Sequence, residues 1–154
     1  MLVARQFSLL LRDLMTENEC GMSRLQFMHH HEVADQLERV ADHAVKISEA
    51  ALAMSGPAVK DVAKEVETRA KGSNEILQKS VEAFVARDTD LANQVLELRE
   101  QQGKLFSEAH RIATEKQPDE ASAISIALDS LLRIAEYGFN IAENALDAPV
   151  TRQV

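Results

Sequence analysis

The sequence of 154 residues is poor in the residues that build β-sheets and tight turns. It has no tryptophan, one tyrosine and five phenylalanines, so aromatic residues make up only 4% of the chain. Glycine occurs five times and proline three times. Because strands favour aromatic residues and hairpins favour Gly-containing turns, these shortages argue against a β-rich fold and favour helices.

Cysteine and long apolar runs are also scarce, and the 25 acidic residues outnumber the 17 basic ones. The single cysteine, Cys20, cannot form an intrachain disulfide, which is typical of a protein in the reducing cytoplasm. A net charge of −8 repels the phosphates of nucleic acids and anionic lipids, so we expect no direct nucleic-acid binding. No leader peptide opens the chain and no apolar run reaches about 18 residues, so we expect neither secretion nor membrane insertion.

Apolar residues recur at helical spacing along almost the whole chain, with Gly, Pro and Asp at the breaks. The pattern predicts five helices, at about residues 2–14, 23–54, 57–86, 88–114 and 120–146. Ser23 is predicted to cap the second helix, and Asp88 or Asp90 the fourth. The second helix carries a coiled-coil-like seam that consists of Val33, Leu37, Val40, Ala44, Ile47, Ala51 and Met54. We predict an all-α, antiparallel helical bundle with short connections.

One segment of the chain is repeated without a gap. The stretch 33-VADQLERVADHAVKISEAAL-52 aligns with 127-ALDSLLRIAEYGFNIAENAL-146, so that Arg39 matches Arg133 and Glu49 matches Glu143. Core periodicity alone would repeat the apolar positions but not these charged ones. The simplest explanation is the duplication of a three-helix unit.

The repeated segment also resembles a known family. The motif 37-LERVADHAVKISE-49 resembles the signature helix of PhoU proteins, which regulate phosphate uptake. The second copy, 133-RIAEYGFNIAE-143, resembles the form found in archaeal members, in which PhoU repeats accompany an AbrB-type DNA-binding module. The resemblance implies a partial first repeat at residues 1–54 and a complete three-helix second repeat at 55–148, packed as one domain. The chain then looks like the C-terminal portion of such a protein.

The family resemblance implies a metal site on the second helix. PhoU proteins are similar to metal binders that use [ED]xxxD pairs, and Glu38 and Asp42 match that pair. His31 and Asp35 share a face with them, since these four residues are spaced by four, three and four. Carboxylates with one imidazole suit iron, manganese, magnesium or, less well, zinc. The alternative is a solvated acidic face without metal, and Leu132 replaces the first acid in the second repeat.

By the same resemblance, the chain is expected to be a regulatory adaptor and not an enzyme. The expected partners are a phosphate transporter's ATPase, a sensor kinase or an AbrB-type DNA-binding module. A helical bundle that binds iron, zinc or another divalent metal for storage, sensing or catalysis is the alternative function.

Two further predictions concern contacts with other molecules. Arg39 and Arg133 recur at equivalent positions, which indicates either contact with a partner or anion, or interhelical ion pairs to Glu49 or Glu143. The apolar seam of the second helix also needs cover from other helices: the first short helix can cover part of it, and a second copy of the chain can cover the remainder. We therefore expect a homodimer or a higher oligomer.

Overall fold

A computed structural model describes residues 23–54, 56–57 and 60–147 of the chain. These residues form five α-helices: α1 (Arg24–Ala53), α2 (Lys60–Ala86), α3 (Thr89–Leu96), α4 (Arg99–Lys116) and α5 (Ala121–Asp147). A 3₁₀ turn at Pro118–Glu120 leads into α5, and no strand occurs within the described ranges. The prediction of an all-α bundle is confirmed. The predicted helix at residues 2–14 lies outside the described residues.

Two of the predicted helix caps are present in the structure. At the start of α1, the Ser23 hydroxyl accepts a hydrogen bond from the Gln26 N–H (3.3 Å), and the Gln26 side chain accepts one from the Ser23 N–H (2.9 Å). This reciprocal pair is a capping box, which satisfies two donors that the helix itself leaves open. At the start of α3, the Asp88 carboxylate accepts a hydrogen bond from the Leu91 N–H (2.9 Å).

The predicted single helix at residues 88–114 is wrong, because the structure divides it into α3 and α4 at Glu97 and Leu98. Here the Leu98 N–H donates to the Val95 carbonyl (3.1 Å), only three residues back. Such a bond tightens the turn and interrupts the ladder of four-residue bonds. Leu98 itself is half-buried against the core. The division places Arg99 at the first position of α4, where it reaches α5.

Helix α5 is the centre of the bundle, since each of the other four helices packs against it. Eleven of its residues are buried, among them Leu128, Phe139 and Ile141. Its most extensive packing is against α2, and Gly138 of α5 lies directly against Ile76 and Leu77 of α2. The Ser73 hydroxyl of α2 donates to the Leu131 carbonyl of α5 (2.8 Å). These contacts hold α5 in a fixed position relative to α2.

Helix α1 lies against α5 by one side only. Val33 and Ala50 are its two buried residues. In the predicted seam, Val40, Ile47 and Met54 are half-buried, whereas Leu37, Ala44 and Ala51 are exposed. The seam is therefore only partly covered by α5. None of the helices in the described ranges is long and apolar enough to span a membrane.

Candidate partner-binding site

The side chains that join α1 to α5 along one edge are mostly polar. His29 Nδ1 lies 2.9 Å from Asn144 Oδ1, and Asn140 Nδ2 donates to Gln36 Oε1 (3.2 Å). Further along, the ring of His43 contacts the ring of Tyr137. The two ring centroids are 5.7 Å apart and the ring planes are tilted by 50°. Residue numbers rise along α1 as they fall along α5, so the two helices run antiparallel.

The repeat explains why His43 and Tyr137 meet. They occupy equivalent positions in the two copies, as do Arg39 and Arg133. When two equivalent helices cross antiparallel, equivalent residues near the crossing point face each other across a local twofold axis. The crossing therefore brings the two arginines, which are far apart in sequence, to opposite sides of one aromatic pair.

Tyr137 lies between the two repeated arginines. Arg39 Nε donates to Asp35 Oδ2 (3.1 Å) within α1, and its side chain also hydrogen-bonds Tyr137. These contacts raise the pKa of the Arg39 guanidinium, first through the charge of Asp35 and then through the hydrogen bonds to Asp35 and Tyr137. On α5, Arg133 Nη1 donates to Glu136 Oε2 (2.6 Å). Both arginines keep further N–H donors, because a guanidinium has five.

An open cavity of about 360 Å³ adjoins Tyr137, and it is lined by Arg99, Arg133, Glu136, Tyr137, Asn140 and Glu143. Arg99 Nη1 lies 2.8 Å from Glu143 Oε1, and its guanidinium sits 5.1 Å from the centroid of the Phe139 ring. We call the set Arg39, His43, Arg99, Arg133 and Tyr137 the Tyr137 site.

The imidazole of His43 is half-buried at the Tyr137 site. Burial lowers the pKa of its imidazole most, and the positive charges of Lys46 and Arg133 lower it further, outweighing Asp42. His43 Nδ1 is buried and has no hydrogen-bond partner among the described residues. Burial is therefore the main cause of the lowered pKa of His43, and the nearby positive charges add to it.

The predicted interhelical pairs of Arg39 and Arg133 with Glu49 or Glu143 are wrong. Each arginine pairs instead within its own helix, Arg39 with Asp35 and Arg133 with Glu136. These pairs are largely exposed and contribute little to stability. Glu143 pairs with Arg99 of α4, because the turn between α3 and α4 directs Arg99 toward α5.

The residues predicted to bind metal lie on α1. Glu38 and Asp42 are exposed, whereas His31 and Asp35 are half-buried, and Asp35 is bonded to Arg39. Within residues 23–54, 56–57 and 60–147, no three His, Cys, Asp or Glu side chains are grouped closely enough to hold a metal ion. The described helices thus supply the pair of Glu38 and Asp42 but no third ligand, and metal binding there stays a prediction.

Elemental analysis of protein purified without a nickel resin checks the metal prediction. If Glu38 and Asp42 bind iron or zinc with ligands from elsewhere, the wild-type chain should carry near-stoichiometric metal, and the double substitution E38A/D42A should lose it. The matched control is E75A, an exposed helical glutamate on α2 that should leave the metal content unchanged. Equal metal in all three proteins, or none in any, contradicts the prediction.

Several residues of the Tyr137 site could not be identified from sequence patterns. Tyr137 and His43 break the identity of the repeat, which was their only signal. Arg99 lies far from both in sequence and joins the site through the break between α3 and α4. Only the packing of α4 against α5 brings it there.

Comparison with known proteins gives a family match. The family model described as the PhoU domain matches residues 67–145, which run from the first half of α2 to the end of α5. No curated protein and no solved structure matches the chain.

Proposed function

The chain belongs to the PhoU domain family, and we propose that it acts as a regulatory adaptor in phosphate uptake by docking onto a transport or signalling protein. The family is one of phosphate-uptake regulators. The specific partner we propose is the ATPase of a phosphate transporter, with a sensor kinase and an AbrB-type DNA-binding module as the other candidates. A cytoplasmic location, expected from the single cysteine, is part of the same proposal.

The observation that carries this proposal is the convergence of Arg39 and Arg133 on Tyr137. Arginine and tyrosine are enriched among the residues that dominate protein–protein binding energies. The cavity beside Tyr137 is open, and the guanidiniums around it retain donors for a carboxylate of a partner. Their present carboxylate partners, Asp35 and Glu136, have side chains that are each 42% exposed, so exchanging them for an incoming acid costs little.

Mixing the chain with the transporter ATPase tests the proposal. We expect a complex in size-exclusion chromatography with light scattering, and a change in ATP turnover. The R39A/R133A variant should weaken the complex by about tenfold or more, because it removes two charge-assisted contacts. The control variant R111A removes an exposed arginine of α4 that pairs with Glu108 and Glu115, and it should bind as wild type does.

The outcomes of this experiment separate the parts of the proposal. No complex with the ATPase, the kinase or the DNA-binding module contradicts the adaptor function. A complex that R39A/R133A leaves intact contradicts only the role of the Tyr137 site. The same light-scattering run on the chain alone checks the predicted homodimer or higher oligomer, for which a monomer at micromolar concentration is the contrary result.

A further inference from the structure

The repeat allows the environments of α1 and α5 to be compared residue by residue. Seven exposed residues of α1, which we call the α1 strip, are Leu37, Ala41, Ala44, Val45, Ser48, Ala51 and Leu52. Their equivalents on α5 are Leu131, Ala135, Gly138, Phe139, Ala142, Ala145 and Leu146. The first six of these are buried and Leu146 is half-buried. Among the residues that the structure describes, the same face is therefore covered in one copy and open in the other.

The α1 strip is too apolar for an ordinary solvated surface. Leu52 is 86% exposed and Val45 is 57% exposed, although each has a buried or half-buried equivalent on α5. Single exposed apolar residues are common, but a continuous row along about four helical turns marks an interaction surface. The strip lies on the side of α1 opposite Arg39 and His43, so it is separate from the Tyr137 site.

The helices that pack on α5 show what shape of partner the α1 strip can bind. On α5, the covered face is filled by α2 and by the α3–α4 segment, and Ile76 and Leu77 of α2 lie directly against Gly138. The equivalent of Gly138 on α1 is Ala44, and its neighbours Ala41 and Ser48 are also small. Small side chains at these positions let a second helix approach closely, as α2 approaches α5.

An apolar cavity extends the α1 strip at its C-terminal end. It has a volume of about 320 Å³ and lies between the end of α1 and the beginnings of α2 and α5. Ile47, Ala51 and Met54 contribute its α1 wall, and Glu67 is its single charged lining residue. A cavity of this size accepts a large apolar side chain, which would anchor a helix lying on the strip.

The charges beside the α1 strip indicate which kind of partner it can bind. On α5, Glu143 pairs with Arg99 of α4, which also lies over the Phe139 ring. The equivalents on α1 are Glu49 and Val45, both exposed, and Glu49 has no ion pair with any described residue. Glu38, Asp42 and Glu49 form an acidic edge along the strip. On α5, Glu143 thus has a cation beside it, whereas its equivalent on α1, Glu49, has no ion-pair partner among the described residues.

A second copy of this chain fits the acidic edge poorly. If two α1 strips packed antiparallel about a twofold axis, the same edge of each helix would meet its own copy. Glu38, Asp42 and Glu49 of one chain would then face the same acids of the other. Like charges facing each other oppose association, whereas a basic edge would favour it.

We propose that the α1 strip binds an amphipathic helix of a partner protein, with an apolar stripe like that of α2 and an arginine or lysine that pairs with Glu49. This inference rests on the adaptor function proposed above and assigns it a second docking surface. An apolar residue at one end of the partner helix enters the cavity beside Met54. The basic residue takes the place that Arg99 holds over α5.

A helical segment of the chain itself provides a probe. A labelled peptide of residues 60–116 contains α2, α3 and α4, including Arg99, and is added to the full chain while fluorescence anisotropy is measured. We expect saturable binding that V45E/L52E weakens by about tenfold or more, because it puts two charges into an apolar contact. These side chains are exposed in the free chain, so the variant should fold. The control Q78E/Q94E changes two exposed polar residues away from the strip and should bind normally.

A charge exchange tests the role of Glu49. The E49R chain should bind the wild-type peptide about tenfold more weakly, and a peptide carrying R99E should restore the binding. If the peptide is unfolded alone, residues 60–116 are joined to the chain through a flexible linker, which raises their effective concentration. Amide hydrogen exchange at residues 37–52 should then slow in the fusion, and V45E/L52E should abolish this protection.

Each contrary result has a definite meaning. No binding and no protection in the fusion overturn the inference, and so does a concentration-dependent homodimer that V45E/L52E abolishes, since the strip would then hold a second copy. If the ATPase complex forms but V45E/L52E leaves it unchanged and the peptide does not bind, the inference fails while the adaptor function stands. If the peptide binds but no complex forms with the ATPase, the kinase or the DNA-binding module, the adaptor function fails alone.

Discussion

Replacing Gly138 by alanine should destabilise the bundle by about 1–3 kcal/mol, which is the usual cost of forcing an extra methyl group into a packed core. A Cβ at this position would lie 2.8 Å from Ile76 Cγ2 and 3.3 Å from the backbone of Leu77. Ile76 is only 1% exposed, so its methyl group has little space into which to move. The strain therefore falls on the α2–α5 crossing itself.

Helix propensity acts in the opposite direction at Gly138. Alanine is favoured over glycine inside a helix by about 0.5–1 kcal/mol, so a stabilising effect is the ordinary expectation. Gly103 is the matched control, because it lies within α4 and a Cβ there meets nothing within 4 Å. Urea denaturation should show G103A slightly more stable than wild type and G138A clearly less stable. An equal effect of the two substitutions would falsify the close approach of α2 to α5.

The helices and several of their ends could be predicted from sequence, because the signals are local. Apolar spacing located α1, α2 and α5, and the capping box at Ser23 depends on residues only three apart. The break between α3 and α4 carried no such signal. The apolar spacing continues through Glu97 and Leu98, and the residues there are neither glycine nor proline. The tight turn accompanies the packing of Leu98 into the core, which involves residues distant in sequence.

The candidate site was predictable only to the extent that the repeat revealed it. Charged identities at equivalent positions identified Arg39 and Arg133, and the structure places them on either side of Tyr137. Their ion-pair partners were not predictable, since the choice between Glu136 and Glu143 for Arg133 depends on where α4 starts. The half-open seam of α1 was likewise hidden, because periodicity gives the apolar face of a helix but not the width that its neighbours cover.

The second large effect is expected at Leu131, where the two copies of the repeat provide an internal comparison. Leu131 is 6% exposed and packs in a cluster with Val62, Phe106 and Leu128. Replacing it by alanine removes buried methyl groups and leaves a cavity, which typically costs about 2–5 kcal/mol. Its equivalent, Leu37, is 39% exposed, so the same substitution there should cost less than about 1 kcal/mol.

Leu131 should matter more for the stability of the free chain, whereas Leu37 should matter more for the binding of a partner helix. Chemical denaturation of the free chain is expected to place L131A far below L37A in stability. If a helix covers the α1 strip as α2 covers α5, then L37A should lose binding to the peptide of residues 60–116, because Leu37 becomes a buried contact only in the complex. L131A, measured without denaturant at a temperature at which it remains folded, should bind nearly as tightly as wild type. Equal destabilisation of the free chain by both substitutions would show that Leu37 is already covered, and the α1 strip would then not be open to a partner.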